Sequence, residues 1–200
     1  MKITRITAQV KNPERVSIFV DGVYSFSLSL DELLATKLKN NQELSTAELK
    51  KLKQLSSDGK LRMRAFEWLL RRPHSARELK EYLYKKQASE ELTARIINDA
   101  QKRGYQNDEA FARWWVEQRR TGKQRSARYI SQELGAKGVD REIITAVLTE
   151  NETSDADALR VLIAKKRRSS RHVADEQKLI EYLARQGYSF SLIKELLAEE

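Results

Sequence analysis

The chain of 200 residues carries a formal net charge of +9, is 40% hydrophobic and contains no cysteine. The lack of cysteine excludes disulfide bonds, thiol nucleophiles and cysteine-based zinc sites. No apolar run approaches the roughly 20 residues of a membrane span, and the N-terminus has no apolar signal-peptide core. We therefore expect a cytoplasmic protein without membrane contact, and the basic excess favours a polyanionic partner.

The N-terminal segment predicts β-structure. In KITRITAQVK, the apolar residues Ile6, Ala8 and Val10 alternate with polar residues, which is the period of a half-buried strand. The apolar runs RVSIFV and VYSFSLSL follow, and they predict a hairpin around Asp21-Gly22.

Two turn geometries fit this hairpin. A two-residue turn at Asp21-Gly22 places Val20 opposite Val23 and Ile18 opposite Ser25. A three-residue loop with glycine in the left-handed conformation instead brings the apolar residues of both runs onto one face. Because register follows the apolar pattern, the sequence favours the three-residue loop.

The rest of the chain predicts helices. Ser29, Ser45 and Ser75 each precede a glutamate by three residues, which is the spacing of a capping box at a helix start. All seven glycines lie at expected boundaries, where they do not weaken a helix. The predicted helices are 30–39, 46–56, 60–72, 76–86, 90–103, 108–121, 126–135, 141–150, 155–168, 172–186 and 190–199.

From residue 59 onward the helices repeat in threes. The similar openings AFEWLL, AFARWW and ALRVLI begin at residues 65, 110 and 158, and two further helices follow each of them. The pattern predicts a mainly α fold of tandem three-helix repeats in an elongated curved array, preceded by a small β-hairpin segment. The predicted domains are 1–58, 59–105, 106–150 and 151–200.

The sequence shows no catalytic constellation. Its two histidines are far apart, and it has neither a phosphate-binding glycine loop nor a metal-ligand motif. We therefore expect no enzymatic activity, no metal and no cofactor. Phe111 and Trp115 are four residues apart on one predicted helix and are assigned to its core face, whereas Trp114 is either core or an exposed stacking platform.

Two basic clusters are candidate contact surfaces: RRTGKQRSAR at 119–128 and KKRRSSR at 165–171. Neutralising phosphates with clustered cations releases counterions and favours binding. A basic stretch next to a helix is nevertheless often only a solvated surface. Charge alone therefore does not assign a partner to either cluster.

Three segments resemble the RecX family of regulatory proteins. RRPHSAREL at 71–79 matches the family's Arg-x-x-Ser-x-x-Glu-Leu helix start, NDEAFA at 107–112 matches Asp-x-x-Phe-Ala, and QELGAKGV at 132–139 matches Glu-Leu-x-x-Lys-Gly-[Ile/Val]. The match is specific over about 60–150. The chain departs from the family at 123–126, where a glycine-containing stretch is usual and Lys-Gln-Arg-Ser stands here.

The resemblance implies a non-enzymatic regulator of tandem three-helix repeats that docks on the filament of RecA recombinase and single-stranded DNA. Such a protein blocks filament extension and inhibits ATP hydrolysis and strand exchange. Direct contact with the single strand stays open. A stand-alone DNA-binding protein, a protein-only scaffold and an unrecognised hydrolase are alternatives. We expect a monomer, because no long heptad seam is evident.

The candidate RecA or DNA contacts are the basic residues of the three repeats. They are Arg113, Arg119, Arg120, Lys123, Arg125 and Arg128 in the second repeat, Arg72, Arg77 and Lys80 in the first, and Arg167, Arg168 and Arg171 in the third. Their expected role is electrostatic steering and charge-assisted hydrogen bonding.

Overall fold

The computed structural model describes residues 1–150, 154–168 and 175–199. In these ranges the chain begins with strands β1 (Ile3–Gln9), β2 (Asn12–Val20) and β3 (Val23–Ser29). The helices that follow are α1 (Leu30–Thr36), α2 (Thr46–Leu69), α3 (Ala76–Lys85), α4 (Glu90–Lys102), α5 (Asp108–Lys123), α6 (Ala127–Ala136), α7 (Arg141–Glu150), α8 (Asp155–Arg167), α9 (Glu176–Arg185) and α10 (Phe190–Ala198). The predicted class, mainly α with an N-terminal β segment, is confirmed.

The strands form one antiparallel sheet in the order β1–β2–β3. Asp21 and Gly22 make a two-residue turn with φ angles of 49° and 84°, and Val20 pairs with Val23. Two successive left-handed residues give a turn whose twist matches that of the strands. The favoured three-residue loop is therefore wrong. The two-residue alternative is correct for the turn and for the Val20–Val23 pair, but the pairing of Ile18 with Ser25 that it implied is wrong.

A bulge in β3 produces the apolar alignment that the longer loop was expected to give. The register shifts next to Ile18, so that Ser25 has no paired residue and Ile18 pairs with Phe26. Val16 then pairs with Leu28. One extra residue returns the following side chains to the same face of the sheet. The predicted shared apolar face is thus correct, although its cause is different.

The first core packs against this face of the sheet. Ile3 is fully buried and Ile6 is partly buried, whereas Ala8 and Val10 are exposed. The expected inward position of these last two residues is wrong: Val10 lies beyond the end of β1 at Gln9, and Ala8 is exposed although it pairs with Val16 in the strand. The buried members of this core are Ile3, Val16, Ile18, Val20, Phe26, Leu28, Leu44 and Leu52.

Serine caps start three of the helices as the sequence predicts. Ser29 and Ser45 each exchange both hydrogen bonds of a capping box with the glutamate three residues later. Ser75 accepts the backbone N–H of Glu78 at 3.1 Å, but the Glu78 carboxylate turns to other partners. The third capping box is therefore only half formed.

Gly59 lies inside a helix and not at a boundary. Residues 46–69 form one continuous helix, α2, where two were predicted. A Cβ at Gly59 would overlap the carboxylate of Glu32, which accepts the Ser29 backbone N–H of the first capping box. Gly59 therefore permits Glu32 to lie close to the backbone of α2. From the sequence alone, this role of a glycine cannot be distinguished from that of ending a helix.

The described residues group into two compact units. The first comprises Met1–Trp68 and Leu83–Ile96, and the second comprises Leu69–Tyr82 and the described part of Ile97–Glu200. None of the helices in the described ranges combines the length and apolar character that a membrane crossing requires. The predicted domain boundaries after residues 58, 105 and 150 remain a prediction.

Two cores in the second unit show why its helices come in threes. Helices α5, α6 and α7 enclose one core, with Phe111, Ile130 and Val147 buried. Helices α8, α9 and α10 enclose the other, with Leu159 and Leu183 completely buried. Each triplet therefore buries its own apolar faces, as a tandem repeat requires. The predicted start of the second helix in the last triplet, at residue 172, lies outside the described residues.

Candidate functional site

The turn between α5 and α6 is held in one conformation by its neighbours. Gln124 caps α5 with a left-handed φ of 46°. Its carbonyl accepts the hydroxyl of buried Tyr188 at 2.8 Å, and the Ser126 N–H donates to the Gln186 carbonyl at 3.3 Å. Burial and the nearby Asp155 carboxylate raise the pKa of Tyr188, so its hydroxyl remains a donor.

Arg119 is held by contacts within the protein. Its Nε donates to the Glu133 carboxylate at 2.6 Å, and its guanidinium carbon lies 4.0 Å from the ring centre of Trp115. The Trp115 indole N–H donates to the same carboxylate at 2.8 Å. This cation is therefore neutralised within the protein, and it ties α5 to α6.

Arg120 is more buried than Arg119, with only 6% of its side chain exposed. Its Nη1 lies 2.6 Å from Asp155 Oδ1 and donates to the Arg125 carbonyl at 3.1 Å. Asp155 Oδ1 also accepts the backbone N–H of Ala127 at 2.8 Å. The pair links the ends of α5 and α6 to the start of α8, so Arg120 is not available to an external anion.

Arg125 has a neutral partner. Its Nη1 donates to the side-chain carbonyl of Gln186, and its guanidinium carbon lies 4.2 Å from the ring centre of Tyr129. Its Nε is buried without a hydrogen-bond partner in the described part of the chain. Arg125 forms no ion pair with a carboxylate in the described ranges, so it adds positive potential to the surface beside it.

A basic groove opens beside this turn, and we call it the basic groove throughout. It has a volume of about 310 Å³ and lies between the α5–α6 turn, α8 and α9. Lys123 and Lys165 are exposed, and Lys166 Nζ lies 4.2 Å from the ring centre of Tyr182. The lining residues in the described chain include no acid: Gly122, Lys123, Gln124, Arg125, Leu162, Lys165, Lys166, Tyr182 and Gln186.

Arg113 and Arg128, the first and last of the six candidates in the second repeat, do not line the basic groove. Arg113 pairs with Glu109 at 2.8 Å and with Glu150, and hydrogen bonds from these acids raise its pKa. Arg128 is exposed in a second groove of about 530 Å³, which it shares with Arg185 and an exposed Phe190. The six predicted residues therefore do not form a single surface.

The first-repeat candidates differ in availability. Arg72 pairs with Glu78 at 3.0 Å and lies 5.2 Å from the ring centre of Trp114. Trp114 is half-buried against the core of α5, α6 and α7 and lies against Arg72, which disfavours a free stacking platform. Arg77 pairs with Glu81 at 3.0 Å. Only Lys80, which is exposed, has no ion-pair partner among the described residues.

The third-repeat candidates lie at the end of α8. Arg167 is partly buried in its last turn, and Arg168 is exposed at its C-cap. Arg171 lies outside the described residues. Lys165 and Lys166, which belong to the same basic cluster but were not selected from the sequence, are the members that line the basic groove.

Glu78 connects the start of α3 to the end of α6. Its Oε2 lies 3.0 Å from both Arg72 Nη1 and His74 Nδ1, and its Oε1 accepts Lys137 Nζ at 2.6 Å. Burial opposes ionisation, but hydrogen bonds from Lys137, Arg72 and His74 outweigh it and hold the pKa of Glu78 below its ordinary value. The cluster is structural, and Arg72 belongs to it.

Two sets of contacts between helices, which the sequence analysis missed, position the helices that carry the candidate residues. We call each set a joint. In the first, the Ala76 N–H donates to Asp108 Oδ1 at 2.8 Å, and Ser75 Oγ donates to the Lys137 carbonyl at 2.8 Å. Gly138, with a φ of 78°, lies so close that a Cβ would be 2.9 Å from Arg77 Cβ. This joint binds α3 to α5 and to the end of α6.

The second joint repeats these contacts one repeat later. The Ala127 N–H donates to Asp155, and Gly187 packs against Ser126 with a φ of 95°, as in the first joint. The serine contact differs, because the Ser126 backbone N–H, and not its hydroxyl, donates to the Gln186 carbonyl. The tripeptide Ser-Ala-Arg, which occurs at both 75–77 and 126–128, is the signal that could have revealed the joints. The groove itself had no such signal, because its residues meet only through packing.

Family models match three parts of the chain. Residues 1–45 match the "Regulatory protein RecX N-terminal domain", residues 107–148 match "RecX, second three-helix domain", and residues 153–197 match "RecX, third three-helix domain". The last two matches coincide with the helix triplets that enclose separate cores.

Curated relatives and solved structures agree with these matches. A "Regulatory protein RecX" of Listeria monocytogenes serotype 4b (strain F2365) is 32% identical over 97% of this chain and 74% of its own length. One from Bacillus pumilus is 30% identical over 98% and 76%. The structure "Crystal structure of regulatory protein RecX" aligns with a TM-score of 0.75 and 24% identity over 100% of this chain and 99% of its own. That of RecX from Lactobacillus salivarius aligns with a TM-score of 0.59 and 20% identity over 71% and 95%.

Proposed function

The chain belongs to the RecX family of regulatory proteins, and we propose that it binds the RecA–single-stranded DNA filament in the cytoplasm and inhibits RecA. Inhibition here means blocked filament extension, with reduced ATP hydrolysis and strand exchange. The protein acts by occupying the filament and performs no chemical step itself, as a monomer with no cofactor.

The observation that carries the proposal is the basic groove. Four cations line it without an acidic neighbour among the described lining residues. Such a groove attracts phosphate oxygens or carboxylates, both of which a protein–DNA filament presents. Lys123 and Lys165 are its accessible contact residues, and Arg125 adds charge from the side. Arg128, Arg168 and Lys80 are further exposed candidates on other parts of the surface.

The two most buried candidates, Arg119 and Arg120, have a supporting role in this proposal. They hold α5 against α6 and α8, so they orient the turn that carries Lys123. Reversal of either charge would place an acid beside Glu133 or Asp155 and would disturb the fold. A test of binding must therefore change the exposed lysines and leave these arginines intact.

The test is RecA's single-strand-dependent ATPase, measured while the protein is added at less than one copy per RecA. We expect wild type to reduce the rate at these ratios, and we expect Lys123→Glu/Lys165→Glu to reduce it at least tenfold less effectively. The matched control is Lys53→Glu/Lys194→Glu, which changes the same charge at exposed positions outside the groove. Circular dichroism should show equal helix content in all three proteins.

Fluorescence anisotropy of labelled single-stranded DNA without RecA distinguishes the proposed filament inhibitor from a stand-alone DNA-binding protein. We expect weak binding to bare DNA at concentrations that inhibit RecA. If the ATPase falls only after the protein has saturated the DNA, the protein competes for DNA and the proposal is wrong. Equal loss of inhibition in the groove and control variants would also contradict the assignment of the groove.

A further inference from the structure

We propose that the basic groove is also a binding site for a compact polyphosphate, of the kind carried by a free nucleoside triphosphate. This inference deepens the proposed function, because it assigns a competing ligand to the surface that would contact the filament. Occupancy by free polyphosphate would then lower the protein's affinity for RecA filaments.

The charge arrangement is the first support. Cations converge on one groove from two separate segments: Lys123 and Arg125 from the α5–α6 turn, and Lys165 and Lys166 from α8. None of the described lining residues is acidic, so these cations repel one another in the empty groove. A ligand with several closely spaced negative charges would neutralise them together, whereas a single monovalent anion would neutralise one.

The available hydrogen-bond donors are the second support. Lys123 and Lys165 have no ion-pair partner among the described residues. Arg125 donates to the side-chain carbonyl of Gln186, which carries no charge that would neutralise the guanidinium. Ammonium groups without an ion-pair partner form strong hydrogen bonds when phosphate oxygens accept from them.

The size of the groove is the third support. Its volume of about 310 Å³ is at the lower end of the roughly 300–1,000 Å³ found for small-molecule sites. That space accommodates a short phosphate chain, while an extended strand would leave most of its phosphates outside. The Tyr182 ring is covered on one face by Lys166 at 4.2 Å, so the groove offers no evident slot for a nucleobase. Recognition should therefore be independent of the base.

The first experiment measures binding to the full-length protein by calorimetry at constant ionic strength, with inorganic tripolyphosphate as the probe. Affinity should rise from phosphate to pyrophosphate to tripolyphosphate, and ATP, GTP and tripolyphosphate should bind within about threefold of one another. Thermal unfolding should shift upward by several degrees with tripolyphosphate, because a ligand that binds only the folded state stabilises it. Chloride at equal ionic strength should give no such shift.

The variants locate the site. Lys123→Ala/Lys165→Ala should weaken tripolyphosphate binding at least tenfold, and Lys53→Ala/Lys194→Ala should leave it within twofold of wild type. All four side chains are exposed, so both proteins should unfold at nearly the wild-type temperature without ligand. Equal weakening in both variants, or none in the first, would overturn the proposal.

Competition with an oligothymidylate shows whether the groove prefers free polyphosphate or a nucleic-acid backbone. A ten-nucleotide strand should displace tripolyphosphate only at concentrations well above those of ATP. Tight oligonucleotide binding with no measurable tripolyphosphate binding would mean that the groove accepts a DNA backbone, and the inference would be wrong. This result would leave RecA inhibition untouched, just as tripolyphosphate binding without RecA inhibition would overturn only the proposed function.

Discussion

Asp155 accepts two hydrogen bonds at the start of α8, one of them from a nearly inaccessible guanidinium. Arg120 and the Ala127 N–H both donate to its Oδ1. Arg119 and Arg120 are adjacent in sequence, yet each is paired with an acid on a different helix, while Lys123 has no ion-pair partner within the described part of the chain. At this scale, the function of a basic residue is decided by which acid the fold places next to it.

We predict that Asp155→Ala lowers the free energy of unfolding by about 3 kcal/mol, because it leaves the buried Arg120 charge without a counterion. Asp157→Ala is the matched control, since Asp157 is 60% exposed, lies 3.6 Å from Arg160 and otherwise accepts only the exposed Ser154 hydroxyl among the described residues, at 2.6 Å. We expect its effect to be under about 1 kcal/mol. Urea unfolding followed by circular dichroism measures both, and equal losses would contradict the structural role of the pair.

Glu78 gives a prediction about pH. Its pKa is depressed in the folded protein, whereas an unfolded glutamate titrates near about 4.3. The unfolded chain therefore takes up the proton first as the pH falls. The stability that the Glu78 carboxylate contributes is complete at neutral pH and is lost as the pH falls below about 4 toward its folded pKa.

Glu78→Gln should consequently be less stable than wild type at pH 7, and the difference should shrink steadily between pH 5 and pH 3. Denaturant midpoints at pH 7, 5, 4 and 3 provide the measurement. Glu81→Gln, an exposed carboxylate on the same helix, should change stability little at any of these values. A gap between Glu78→Gln and wild type that stays constant with pH would contradict the ionised cluster.

At the scale of helices, the two joints explain why positive-φ glycines follow α6 and α9. Gly138 and Gly187 both lie where the first turn of an earlier helix, α3 or α6 respectively, comes too close for a side chain. Gly104 also has a positive φ, of 73°, but nothing lies within 4 Å of a Cβ placed there. These glycines therefore separate the cost of backbone conformation from the cost of crowding.

We predict that Gly104→Ala costs about 1 kcal/mol of stability, the penalty for a left-handed residue with a Cβ. Gly187→Ala should cost at least about 1 kcal/mol more, because its Cβ would overlap Ser126 and the first turn of α6. Thermal unfolding of both variants tests this. If the two lose equal stability, the second joint is loose enough to absorb a methyl group.

Some helices and turns could be predicted from the sequence, and others could not. Helices with clear caps were predicted well: α7 was predicted at 141–150 and lies at Arg141–Glu150. Gly59 and the hairpin turn were predicted wrongly, because a glycine inside α2 and a bulge at Ser25 depend on contacts distant in sequence. The groove could not be predicted for the same reason, since Lys123, Lys165 and Gln186 meet only after three helices have packed.

At the scale of the whole molecule, the net charge of +9 acts on any anionic partner before contact. Long-range attraction accelerates encounter and weakens as salt shortens the screening length. Contacts inside a groove act after encounter and slow dissociation instead. Total charge and local arrangement should therefore affect different rate constants.

This separation can be measured with RecA filaments immobilised on a sensor surface, at sodium chloride concentrations from 50 to 300 mM. Lys123→Glu/Lys165→Glu and Lys53→Glu/Lys194→Glu carry the same net charge, four below wild type, so both should associate more slowly at low salt and to a similar degree. Only the groove variant should dissociate faster, by about tenfold or more, since it alone loses direct contacts. Equal dissociation rates for the two variants would mean that the protein's overall charge, and not the basic groove, holds it on the filament.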